Sequence, residues 1–359
     1  MIRRSLFVPA ALLLAASSAF AQPAAPAPAP VAPAAPASPI TGSEITPQLE
    51  AGVGKGLEYL AKNQREDGCI GGSGYADTAI TSLSGIAFMA GGNTPGRGKY
   101  GANVQKCLDF VLKNAQESGL LAESNGNGVM YSHGFATLFL AEVYGTTGDE
   151  NVKERLQKAI RLIEQSQNGE GGWRYTPAPV DADISVTICQ VMALRAARDA
   201  GIKVEKSTID RAIEYVKKCQ NADGGFNYMM GMGGGSMFPR SAAGVATLYY
   251  AGITGGDEID KGLKYLDDFR PGTENSGGGR GSHYFYGHYY AVQTMFLAGG
   301  EHWSKWFPAI REELLGDQNA GTGAWSGEVS DEFCTAMACI ILQIPNRYLP
   351  VFSGKGAGS

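Results

Sequence analysis

Charge is sparse in this sequence, and positive charge especially. Charged residues make up 18% of 359, with 30 Lys+Arg against 35 Asp+Glu. No basic cluster stands against that acidity, which excludes nucleic acid and an anionic membrane surface as main partners. Cysteine is limited to six residues, and none forms a Cys-x-x-Cys pair. That spacing supports neither a redox pair nor a cysteine metal site, and a domain this large does not need disulfides. Cys189, Cys334 and Cys339 fall inside apolar helical runs, where buried inert thiols are expected. Histidine occurs four times, and no alternating apolar pattern marks a strand.

The ends carry processing signals, which are set apart from the fold. Arg3 and Arg4 precede an apolar run from Leu6 to Ala16, and Ala19, Phe20 and Ala21 form a cleavage site before Gln22. Residues 1–21 therefore read as a cleaved secretory signal, so the protein is expected to be exported, periplasmic or secreted, with no stable membrane insertion afterwards. Cleavage removes two of the 30 basic residues, leaving 28 against 35 acidic ones and a net charge of −7. Residues 22–40 alternate Pro and Ala, and 22–45 read as an extended Pro/Ala-rich linker. Residues 46–350 form the expected folded domain, and 351–359 a disordered tail.

What the domain has in abundance is a repeat. A Gln opens and an aromatic closes a Gly-rich turn at Gln167 to Trp173, Gln220 to Phe226 and Gln318 to Trp325, while Gln64 to Gly68, Gln116 to Gly119 and the degenerate Phe269 to Gly272 complete the series. The spacings are 52, 51, 53, 49 and 49 residues. A fixed period of this size marks units that bury their apolar faces against each other.

Each unit holds two kinds of helix. The first is amphipathic, as in Leu156, Ile160 and Ile163 or Ile209, Ile213 and Val216, and belongs on an outer layer. The second is apolar almost all round: Thr78 to Met89, Phe135 to Tyr144, Ile184 to Ala197, Ala242 to Tyr250, Ala291 to Ala298 and Phe333 to Gln343. A helix with no polar face must be buried on every side. Six such helices inside six others close into an all-α, single α/α toroid. The Ile344 to Pro350 segment is expected to pack back across the ring.

The outer-helix-to-turn pattern, best seen over residues 160–173 and 213–226, resembles the repeat of the terpenoid cyclase and protein prenyltransferase superfamily. That resemblance implies the toroid and leaves activity open, since the superfamily holds enzymes and non-catalytic interaction domains. Asp181-Ala-Asp183-Ile-Ser185 resembles the Asp-x-Asp-Asp-Thr acid motif of squalene-type cyclases, with Asp183 in the middle, proton-donating position and Asp181 in the first. The match fails at Ile184, where the third Asp should stand, and Ser185 replaces Thr. His288 resembles the zinc-binding His of the prenyltransferases, but no Asp-x-Cys precedes it, so no zinc or other cofactor is implied.

In a toroid the inner helices all begin at one end of the central cavity. Their starts bring Asp77, His133, Asp181 with Asp183, Arg240, His288 and Asp331 to a common mouth as candidate site residues, with Asp183, Asp181 and His288 the catalytic candidates. Asp77 and Asp331 also read as helix caps. Tyr284, Tyr286 and Tyr289 are candidate ligand walls. The function expected first is binding of a small apolar or isoprenoid-like ligand, with or without chemistry. A protein-interaction module and a glycan-active lyase or hydrolase are the alternatives. A deep apolar cavity favours the first, a filled centre the second and an open polar groove the third.

Overall fold

Among the described residues twelve α-helices pack into two concentric rings, as the two helix types require. The computed structural model describes residues 44–72, 77–123, 128–273, 275 and 283–352, all within a unit running from Pro33 to Ser359. The expected signal segment, the linker up to residue 43 and the tail beyond residue 352 lie outside the described residues. The outer ring consists of α1 (Pro47–Lys62), α3 (Gly101–Lys113), α5 (Glu150–Ser166), α7 (Lys206–Lys218), α9 (Asp257–Asp267) and α11 (Gly300–Asp317). The inner ring consists of α2 (Asp77–Ala90), α4 (Val129–Thr147), α6 (Ile184–Asp199), α8 (Phe238–Ala251), α10 (Tyr284–Ala298) and α12 (Asp331–Gln343). Among the described residues, extended pairing is limited to isolated bridges.

Neighbouring inner helices pack in order from α2 to α12, and α12 packs back on α2, so the ring is closed. Every residue of α2 is buried, as its lack of a polar face requires. In α7, by contrast, only Thr208, Ala212, Tyr215 and Val216 are buried, and its lysines and acids face solvent. Local chemistry sets the ends: Thr46 accepts from the Leu49 N–H ahead of Pro47 in α1, and Asp149 caps α5. Gly148 and Gly252, both left-handed, stop α4 and α8.

The repeat turns act as clamps. The Gln167 amide donates to Gly171 O in its own turn (2.8 Å) and to Thr208 O at the start of α7 (2.9 Å). Gln64 and Gln220 do the same with Asn103 O and Glu258 O. Gln318 reaches Gly52 O of α1 (2.8 Å), which fastens the last repeat to the first. Gly171, at φ 106°, lies against the Arg211 carbonyl of α7, where a Cβ would collide. Beneath the turns, Trp173 donates to Ile163 O and Trp325 to Leu314 O, both at 2.7 Å.

A third clamp is set by the inner helices. Ile70 N–H donates to Thr81, Trp173 N–H to Thr187, Phe226 N–H to Ser241 and Trp325 N–H to Thr335. In the second repeat the acceptor is the Nδ1 of His133, 3.1 Å from Leu121 N. His133 thus takes the place of the hydroxyl residue of the other repeats.

The chain ends tie down the ring. Glu44 is buried, accepting from Trp303 Nε1 (2.8 Å), and its carbonyl accepts from Arg311 (3.1 Å). After α12 the chain crosses back: Asn346 donates to Ala90 O of α2, and Val351 N–H donates to Glu142 of α4 (3.2 Å). Val351 and Phe352, the first residues of the expected tail, form a buried 3-10 turn packed on α6.

Candidate functional site

All six inner helices begin at the same end of the ring and together enclose a cavity of about 1010 Å3. Each contributes residues from its first turns: Ala79 and Ile80 of α2, Ser132 and Phe135 of α4, Ser185 of α6, Arg240 of α8, Phe285 of α10, and Phe333 and Cys334 of α12. The wall is dominated by tyrosines, namely Tyr131, Tyr175, Tyr228, Tyr284 and Tyr286, with Trp325 of the last turn. Below them the ring is filled. Cys189 lies 3.3 Å from the Tyr290 hydroxyl, and Tyr289 donates to Met192 Sδ at 3.6 Å.

The candidate residues divide sharply in this arrangement. Arg240, Tyr284 and Tyr286 line the cavity. Tyr284 is oriented by Glu313, whose carboxylate accepts its hydroxyl at 2.7 Å, and Tyr286 by the Ser185 carbonyl at 2.9 Å. Tyr289 does not line it: it is fully buried one turn deeper, edge-on to Phe135 and Tyr290.

His133 and His288 are not at the mouth either. The expected helix starts were late, since α4 begins at Val129 and α10 at Tyr284. Both histidines are therefore fifth residues of their helices, and their rings enter the packing between layers. Nε2 of His133 meets Ala159 O of α5 at 3.2 Å, and burial pushes its pKa down to about 4. His288 is enclosed by the rings of Phe238, Tyr284 and Trp306 at 4.8, 4.5 and 5.9 Å.

The acidic candidates are also placed apart. Asp77 opens α2 and sits beside Arg65, 3.9 Å away. Asp331, the first residue of α12, is exposed behind the Ser330 cap. The six expected equivalents therefore occupy different positions: first residue, fifth, cap, third, fifth and first again. Equivalence along the repeat is only as close as the helix starts, and a shift of one residue turns a side chain by about 100°.

Asp183 caps α6, with its Oδ1 accepting from Val186 N at 2.9 Å, and it is wholly buried. Burial raises its pKa to about 6, against the pull of the Val186 N–H, Arg174 and the Tyr228 hydroxyl. Arg174 joins the two aspartates, 2.6 Å from Asp181 and 3.4 Å from Asp183, and lies over the rings of Tyr175 and Tyr228. The Tyr175 and Tyr228 hydroxyls bond each other. A ligand in the cavity therefore meets these two tyrosines, with Asp183 behind them.

The sequence presents Tyr175 and Tyr228 only as aromatic residues of the repeat turns. Each stands two residues after the aromatic that closes its turn, Trp173 or Phe226, and that shared register was the available signal. Among the described residues no group of His, Cys, Asp or Glu is arranged to hold a metal ion, and no helix is long and apolar enough to cross a membrane.

Comparison with known proteins places this geometry. The profile of the prenyltransferase alpha-alpha toroid domain matches residues 96–268. No curated protein sequence matches the chain. A type II terpene cyclase from Scytonema, solved with geranylgeranyl dihydroxybenzoate as substrate, superposes with a TM-score of 0.59 at 14% identity, covering 84% of this chain and 98% of the cyclase. An alpha-1,6-mannanase from Salegentibacter, solved as an inactive variant with alpha-1,6-mannotetrose, superposes with a TM-score of 0.62 at 11% identity, covering 84% and 99%. At these identities the likeness is one of fold.

Proposed function

Since the chain is a toroid of the terpenoid cyclase and prenyltransferase-like superfamily, we propose that it is an exported protein that binds an apolar, isoprenoid-like ligand in the mouth of its ring. The observation that carries this reading is the cavity of about 1010 Å3, walled by aromatic rings above a filled centre. Ligand pockets of about 300–1,000 Å3 with apolar walls and few polar groups suit small molecules of this kind. The cyclase that shares the fold was solved with a geranylgeranyl compound, which supports the same ligand class. Asp183, the candidate acid, is set behind Tyr175 and Tyr228, so the geometry favours binding over direct protonation by that carboxyl.

Glycan cleavage is the second reading, favoured by the carboxylates Asp317 and Glu328 in the cavity wall and by the mannanase that shares the fold. Native mass spectrometry of the protein mixed with farnesol or with an alpha-1,6-mannotetrose separates the two. One farnesol per chain is expected, weakened at least fivefold by Met237→Trp, which narrows the mouth. Retention of the oligosaccharide with none of farnesol would overturn the first reading.

A further inference from the structure

The two ends of the ring are closed differently. The inner helices begin at the cavity, and their other ends are crossed by the chain that follows α12. Two ties there rest on groups that do not titrate: Gln343 donates to Ala87 O (2.9 Å) and Asn346 to Ala90 O (3.0 Å), both carbonyls of α2. The chain then turns at Arg347, left-handed at φ 55° although it is not a glycine, and runs to the 3-10 turn Pro350–Phe352 on α6. This last piece is held by Leu349, Val351 and Phe352, all buried, and by the Val351 N–H on Glu142 Oε1 at 3.2 Å. So short a segment can lift about Arg347 while the ring stays closed.

Glu142 stands in the last turns of α4, 2% exposed, and its Oε2 has no hydrogen-bond partner. Its surroundings offer repulsion and no relief. On α6, Asp199 pairs with Arg195 through Oδ2 at 2.7 Å, while its Oδ1 makes no hydrogen bond and lies 3.9 Å from Arg198. α8 and α10 bring the buried phenols Tyr250 and Tyr289, whose pKa values the charge of Glu142 helps to raise. α2 carries no titratable side chain except Asp77 at its cavity end, and Lys153 of α5 is turned to Glu150 (3.1 Å). Burial raises the Glu142 pKa to about 8, with the Val351 N–H pulling it down and Asp199 pushing it up.

We propose that Glu142 is a proton-operated latch for residues 348–352: with its carboxyl neutral the segment stays docked over the far end of the ring, and ionisation lets it lift. Lifting admits water to the carboxylate, which then ionises near its ordinary 4.5. Docking is therefore at full strength below pH 4.5, weakens by up to about tenfold per pH unit above it, and stops changing once pH passes 8. The Val351 bond by itself opposes the latch, since an N–H donor favours the carboxylate, and burial outweighs it. The latch goes beyond the ligand reading above and is independent of what the cavity holds.

Hydrogen exchange of the full chain tests the proposal, read by mass spectrometry at pH 5, 6, 7 and 8 and corrected for the intrinsic pH dependence of amide exchange. Opening of residues 348–352 in the wild type should rise at least about threefold per pH unit, with no such rise in peptides from α2 and α12. Glu142→Gln keeps the shape and an acceptor for Val351 N–H but does not titrate, so its segment should open to the same small extent at every pH. Flat opening in the wild type, or a rise of the same slope in Glu142→Gln, overturns the latch. A rise shared by α2 and α12 also overturns it, because the ring as a whole would then be titrating. Should Glu142→Gln not fold, thermolysin cleavage of the wild type ahead of Leu349 and Val351 still decides, measured at each pH against a free peptide of residues 345–352. A ratio that rises with pH supports the latch, and a constant ratio overturns it.

Discussion

His133 provides a direct test of whether a residue at the start of an inner helix belongs to the cavity or to the packing. Its imidazole accepts from Leu121 N and meets Ala159 O, and burial holds its pKa at about 4, against an ordinary 6.5. The folded state thus keeps the ring neutral, while the unfolded chain takes up a proton below pH 6.5. For a group whose pKa is depressed in this way, stability is present in full above the unfolded value and is lost as pH falls towards the folded one. One proton across that window gives a slope of up to about 1.4 kcal/mol per pH unit, or about 3 kcal/mol between pH 6.5 and 4. His133→Asn retains an acceptor for Leu121 N–H but does not titrate. It should cost about 1–3 kcal/mol at neutral pH, because Ala159 O loses its partner and the ring volume is left partly empty. Urea unfolding followed by circular dichroism at pH 4, 5, 6 and 7.5 gives the difference between the two proteins, in which distant titrations cancel. The gap should close, and even reverse, as pH falls. A gap that is constant with pH would mean the ring is solvated, and the clamp assigned to it would be wrong.

Glu142 should behave in the opposite sense. Burial raises its pKa to about 8, so its contribution is complete below pH 4.5 and is lost as pH rises through 8. Glu142→Gln should therefore unfold at higher urea than wild type at pH 8.5 and near the wild-type midpoint at pH 5, and no gain at pH 8.5 would contradict the assignment. Trp173→Ala should cost about 3–5 kcal/mol, as for a fully buried large aromatic, with Ile163 O losing its donor; a wild-type midpoint in the same urea assay would show the ring to be exposed. Farnesol binding, weakened at least fivefold in Met237→Trp, completes the set. It is read by native mass spectrometry rather than by stability.

The toroid was legible in the sequence because its causes are local. A Gly-rich turn recurs six times, opened by Gln and closed by an aromatic in three copies, and Gln64, Gln167, Gln220 and Gln318 each bond a carbonyl of the next outer helix. Helices such as α2, with no polar face, admit no position except the inside of a second layer. Ring closure follows from the same periodicity, and Gln318 shows its bond directly: it treats α1 as the next repeat although its partner Gly52 lies 266 positions earlier.

The site was legible only as an end of the ring. Which side chains reach it depends on helix phase, and phase depends on where each helix starts. α4 and α10 begin at Val129 and Tyr284, ahead of the starts expected at the histidines, which turns His133 and His288 into the packing and carries Tyr289 below the floor. Asp183 sits at the predicted helix start, but tertiary packing laid Arg174, Tyr175 and Tyr228 between it and the cavity. Repeating short-range bonds can be read along a chain, whereas the occupants of a shared cavity are fixed by rotations of about 100° per residue summed over separate helices, and those are decided when the helices pack.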